Sequence, residues 1–171
     1  MASTGNVYPT VGESVDRSGL TAWTNPGNIV SDNTTDATCN AAGSDYLVAR
    51  AFSFSVPYGS TILGITVRVE ASEHSTNTEV LYLQLQGSDS ALIGVDGSVT
   101  VSGTTKAVYT QGAVDDLWSA TLTSDIVNSA NFGVRLWFAT SHDVRIDYVT
   151  MAIEYTPGVR PQTRLSLLGV S

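Results

Sequence analysis

Cysteine is nearly absent from this chain: Cys39 stands alone, so no disulfide can close within it. Lysine is equally scarce, with Lys106 the single example. Charged residues make up 14% of the sequence, well below the roughly 25% of an ordinary soluble domain. Sixteen acids against eight bases leave a net charge of −8. Such a surface repels phosphate backbones, so nucleic acid is not an expected partner. Anionic membranes are disfavoured likewise, and no run of about twenty apolar residues could span a bilayer. The first residues, from Met1 to Pro9, have neither a basic start nor an apolar stretch. No signal peptide is expected, synthesis in a cytoplasm follows, and the sequon Asn33-Thr34-Thr35 reads as accidental.

What is present favours strands. Hydrophobic residues reach 42% of 171, enough for the core of one domain. Ser, Thr, Asn, Gln and Gly must coat the surface, and abundant Thr and Val suit a pleated sheet. Alternation is clearest at 62–70, where Leu63, Ile65, Val67 and Val69 share a face, and at 79–86, where Leu81, Leu83 and Leu85 do. At 132–138, Phe132, Val134, Leu136 and Phe138 are in phase, with Arg135 and Trp137 opposite. A long strand at 144–155 switches phase between Ile146 and Val149, which a bulge near Asp147 and Tyr148 would produce. Weaker strands fall at 46–56, 91–95 and 106–110, with turns at Asp96-Gly97 and Ser102-Gly103. The single helical candidate is 123–129, capped by Thr123 or Ser124.

This pattern predicts an all-β, antiparallel two-sheet sandwich, jelly-roll-like, with at most one short helix. The expected organisation is an irregular N-terminal segment packed on the sandwich (1–45), a β-sandwich core (46–156) and a C-terminal arm (157–171). Through Thr156 there are six bases against sixteen acids, a charge of −10, whereas the arm adds Arg160 and Arg164 without an acid. With Leu165, Leu167, Leu168 and Val170 the arm reads as a partner-binding device, able to add a strand to another subunit.

Catalytic signatures are missing. No Gly-x-Ser-x-Gly elbow occurs, and nothing near Cys39 would lower a thiol pKa. Asp115-Asp116-Leu117-Trp118 comes nearest to an acid set among apolar residues, and reads as a loop with an anchor pair. Neither Glu73-His74 with Glu79 nor His142-Asp143 has the ligand spacing of a zinc or EF-hand site. A structural calcium ion could be held by loop carbonyls with Asp32, Asp36 or Asp45. Asp143, Arg145 and Asp147 read as a solvated charge ladder. Trp23 and Trp137 are candidates for a subunit interface or a glycan platform, Trp137 because it points away from the core phase. No cofactor is called for, and the chain is expected not to be an enzyme.

Several stretches resemble a β-sandwich recurring in tailed-phage virion proteins. They are Trp23-Thr24-Asn25-Pro26-Gly27-Asn28, the run from Phe54 to Val69, Asp116-Leu117-Trp118, Asn131 to Leu136, and Ile146-Asp147-Tyr148-Val149. The resemblance implies a capsid decoration (cement) protein, head-fibre or tail component. Its implied partners are the major capsid protein, other virion subunits or its own copies, and its location is the virion. It carries over no catalytic residue; Pro57 and Gly59 would build a turn, Gly64 and Gly133 would allow close approach, and Phe132 and Trp118 would fill core. A carbohydrate-binding module or a tail or host-surface adhesin is the alternative, with a glycan as partner.

Overall fold

In a computed structural model, which describes residues 1–139 and 141–158, the side chains of Ser141 and His142 excepted, ten strands form two sheets. They are β1 (Ala2–Ser3), β2 (Val11–Val15), β3 (Ala37–Ala42), β4 (Tyr46–Arg50), β5 (Thr61–Glu73), β6 (Thr78–Gln86), β7 (Leu92–Ser102), β8 (Ala107–Gly112), β9 (Gly133–Trp137) and β10 (Ser141–Thr156). Sheet A runs β8–β5–β10, with β1 and β3 both on the far side of β10; sheet B runs β2–β4–β9–β6–β7. The strand pairs are all antiparallel. The expected sandwich is the observed one. Its core is made by the predicted phases: Ile65, Val67 and Val69 of β5, Leu81, Leu83 and Leu85 of β6, and Val134 and Leu136 of β9 are fully buried between the sheets.

The helix is a single turn, α1 (Ser124–Val127), whose Thr123 hydroxyl accepts from the Ile126 N–H at 3.3 Å. Pro57 and Gly59 do make a turn, closed by the Ser60 N–H donating to the Pro57 carbonyl. A Cβ on Gly64 would strike the Ala113 carbonyl, and one on Gly133 the Ala49 carbonyl. Phe132 and Trp118 lie in the core.

Three local expectations are corrected. Residues 46–56 carry a strand only to Arg50, because Ala51 and Ser53 take positive φ and end the ladder. Asp96-Gly97 is no hairpin turn: β7 runs on to Ser102, with a bulge of its own, since Gly97 pairs with Leu83 and Ile93 with Leu85, leaving Gly94, Val95 and Asp96 opposite Gln84 alone. Residues 1–45 are no overlay, since they supply an edge of sheet B through β2, a partner of β10 through β3, and Ile29 and Trp23 to the core. Between β2 and β3, Pro26–Val30 form a 3-10 turn, and Asn25 just before it, rather than Gly27 within it, takes the left-handed conformation. The arm residues Arg160, Arg164, Leu165, Leu167, Leu168 and Val170 lie outside the described residues.

Candidate functional site

The bulge in β10 falls where the phase switch placed it, between Ile146 and Tyr148. It turns Asp147, only 2% exposed, out of the ladder expected with Asp143 and Arg145 and into an acidic cluster that runs from buried Asp147 to exposed Asp32. Carboxylate oxygens of Asp32, Glu70 and Asp147 lie within 4.8 Å of one another. Lys106 Nζ donates to Asp147 Oδ2 at 2.8 Å and forms an ion pair with Asp36 Oδ1 at 2.7 Å, and the Asn33 N–H donates to Asp147 Oδ1 at 3.2 Å. The Glu70 carboxyl is pushed above its usual range, first by burial and then by the charge of Asp147. Tyr8 and Tyr148, edge to face at 5.7 Å, adjoin the cluster, and burial raises both phenols. A hard cation would find oxygen ligands in Asp32, Glu70 and Asp147. The Lys106 ammonium already neutralises part of that charge. Asp147 has both oxygens engaged, so it is a structural anchor tying the 31–36 loop to β10. Of the calcium candidates, Asp32 and Asp36 belong to this cluster, while Asp45 sits elsewhere, accepting from the Arg17 N–H at 3.0 Å.

The outer face of sheet B is different in kind. In each of β4, β9 and β6 the residues out of phase with the core point outward, and the pairing aligns them in rows. One row is aromatic. Tyr82 stands directly opposite Trp137 with rings stacked at 5.6 Å and 16°, and Tyr46 meets Trp137 edge to face at 5.4 Å. All three rings are half-buried. The next row holds Val48, Arg135 and Gln84. Arg135 lies 5.1 Å over the Tyr46 ring, and Arg17 lies 5.8 Å from the centroids of both Tyr46 and Trp137. At one side Arg50 grips Glu13 through two bonds of 2.7 and 3.3 Å, which holds that carboxyl below its usual range.

No protein-family model matches the sequence, and comparison with curated proteins finds no relative. Solved structures similar to this chain include a Clostridium thermocellum endo-1,4-beta-D-xylanase 10B comprising CBM22-1 and GH10 modules, at 16% identity and TM-score 0.46, covering 90% of this chain and 30% of that one. Another is the CBM35 from Cellvibrio japonicus Abf62, at 14% identity and TM-score 0.46, covering 92% of this chain and 99% of that one. A third is the xylan-binding module CBM15, at 12% identity and TM-score 0.41, covering 91% and 94%. These likenesses concern the fold alone.

The remaining candidates fall apart from that face. Trp23 is 4% exposed, packed edge to face on Phe138, and its Nε1 donates to the Asp45 carbonyl at 2.9 Å. It is a core residue and offers no surface, which corrects its pairing with Trp137. Cys39 donates Sγ–H to the Thr21 carbonyl, and burial pushes its thiol up to about 11, with Asp45 and Asp143 adding to the shift. It is no nucleophile. Asp116 accepts from the Trp118 N–H at 2.7 Å, fixing a loop whose indole donates to the Ile65 carbonyl. His74 Nδ1 bonds the Arg145 guanidinium, and Glu73 and Glu79 are buried. A groove of about 620 Å³ opens at one end of the sandwich between 58–62 and 117–125. Asp125 is its one charged side chain.

Tyr46, Tyr82, Arg17 and Arg135 were not singled out from the sequence. Strand phase puts Tyr82, Arg135 and Trp137 on outer faces, but only the pairing of β6 with β9 makes them neighbours. Arg17, in a loop, has no periodic signal at all.

Proposed function

We propose that the outer face of sheet B binds carbohydrate and that the protein acts as a non-catalytic binding module. One observation carries this reading: Tyr46, Trp137 and Tyr82 stand in a row across three strands with their rings partly open to solvent. The C–H face of a sugar ring is apolar and packs on an aromatic surface, while its hydroxyls need polar groups beside that surface. Gln84 and the two arginines supply them. Cleavage would need a carboxylic acid able to give up a proton. Glu13, a carboxylate at one side of this face, is tied to Arg50 and held below its usual range, so it suits holding a glycan and not cutting it.

Binding of this type fits a carbohydrate-binding module or a host-surface adhesin. Capsid decoration keeps the sequence resemblance as its sole support. Affinity electrophoresis against a panel of soluble polysaccharides separates the readings. Retardation by at least one polysaccharide is expected, with Trp137→Ala and Tyr82→Ala each weakening it roughly tenfold, about 1.4 kcal/mol. Ligand should also perturb tryptophan emission through Trp137 alone, since Trp23 and Trp118 are buried. Migration unaffected by every polysaccharide, together with co-sedimentation with capsids, would return the protein to the decoration role.

A further inference from the structure

Resting on that reading, we infer that the glycan is acidic: the sheet B face selects sugars bearing a carboxylate, such as uronates. Through Thr156 the protein has only six bases, and three of them, Arg17, Arg50 and Arg135, lie on this one face. Arg50 is paired with Glu13. Arg17 and Arg135 have no carboxylate within ion-pair distance among the described residues, although acids outnumber bases more than twofold. Arg68 and Arg145 are likewise without an ion pair among the described residues, but only Arg17 and Arg135 stand together against one aromatic row.

Both guanidinium groups are also held in place. Arg17 donates Nε–H to the Ser44 carbonyl and Nη2–H to the Phe138 carbonyl, each at 3.0 Å. Arg135 donates Nε–H to Gln86 Oε1 at 2.7 Å and Nη2–H to the Ser90 carbonyl at 2.6 Å. These acceptors are neutral, so they fix the forks without cancelling their charge. Each guanidinium has five N–H groups, and among the described residues the Nη1 amino group has no hydrogen-bond partner. Cation–π contact with Tyr46 and Trp137 orients the groups further but neutralises nothing. A fixed fork with no carboxylate bonded to it, beside an aromatic row, matches a sugar that stacks its ring and presents a planar carboxylate. A neutral glycan would use the rings and leave the charge unanswered.

The test compares polygalacturonate, alginate and glucuronoxylan with their carboxyl-reduced, neutral forms, and dextran sulfate with dextran. Wild-type protein should bind at least one uronate polymer tenfold or more tighter than its reduced form. Arg17→Gln with Arg135→Gln should collapse that selectivity ratio towards one. The Arg17→Lys, Arg135→Lys protein keeps the charge without the fork and should be intermediate; it also controls for any loss of fold, followed by thermal midpoint. Trp137→Ala should weaken acidic and neutral polymers alike. Equal affinity for acidic and reduced polymers, or a selectivity untouched by the Gln changes, overturns the acidic assignment while leaving carbohydrate binding intact. Binding to dextran sulfate with none to any uronate overturns the carboxylate. Absence of any polysaccharide binding removes both proposals together.

Discussion

Glu70 shows how one residue can store a pH response. It lies opposite Tyr148 in sheet A, beside the carboxylate that the β10 bulge turns inward. Its ordinary pKa of 4.5 is raised on folding, chiefly by burial and then by Asp147. A carboxyl whose folded pKa exceeds its unfolded one favours the folded state most when protonated. That contribution is present below the unfolded value and lost as pH climbs through the folded value. Glu70→Gln, which imitates the protonated acid, should therefore raise the thermal midpoint at neutral pH and make no difference near pH 4. Solvent screening limits the gain to about 0.5 kcal/mol, or about 1–2 °C. Calorimetry at both pH values checks it, and a lower midpoint at neutral pH would contradict this account of the cluster. Glu13 works in the opposite direction: its lowered pKa means that stability falls as acid titrates it off Arg50.

At the scale of elements, β8 and the 113–123 loop lock onto each other around Trp118. The indole donates to the Ile65 carbonyl at 3.0 Å, and Gly112 ends β8 directly against both groups with φ of 82°. A Cβ there would meet the Ile65 carbonyl oxygen and the Trp118 ring. Gly103 has a similar φ of 76° but nothing within reach. Gly112→Ala should cost about 3 kcal/mol or more, adding a clash to the strain, whereas Gly103→Ala should cost about 1 kcal/mol from backbone strain alone. Urea unfolding of the two variants measures the difference, and equal losses would show that Trp118 is less firmly seated than its bonds imply. Here strand phase was legible in the sequence and contact was not. Leu81, Leu83 and Leu85 announce their face by spacing, and Asp147 with Tyr148 announces a bulge by a break in spacing. Nothing in a run such as Ser98 to Val101 reveals that β7 continues past Asp96-Gly97, because a bulge at Gly94, Val95 and Asp96 absorbs the turn-like residues while pairing resumes on either side.

For the whole molecule, the two-sheet architecture followed from period-two patterning, while the order of strands within the sheets did not. Trp23 illustrates the limit: its neighbours Thr24 to Asn28 mark a turn, but no local signal says that the turn delivers an indole to the core beside Phe138. The same holds for the row on sheet B, whose members come from residues 46, 82 and 137. A fold assembled from such distant pieces must close large loops before its contacts stabilise it. Refolding should therefore relax in milliseconds to seconds, as β-sandwiches do, and a microsecond phase carrying the full amplitude in a stopped or continuous-flow experiment would contradict the topology.

The position of β10 gives that order a direction in time. All five strands of sheet B are complete once Trp137 has been translated, whereas the strand joining β5 to β1 and β3 at the centre of sheet A is the last of the ten. At roughly 5–20 residues per second, β10 is made within a few seconds of β9, and until it pairs, sheet A lacks its central strand. Leu81, Leu83, Leu85, Val134 and Leu136 are short of the cover that β10 supplies in that interval. Val144, Ile146, Val149, Met151 and Ile153 are all buried, so the pairing of this late-made strand is the step that completes the sandwich core and withdraws it from chaperones.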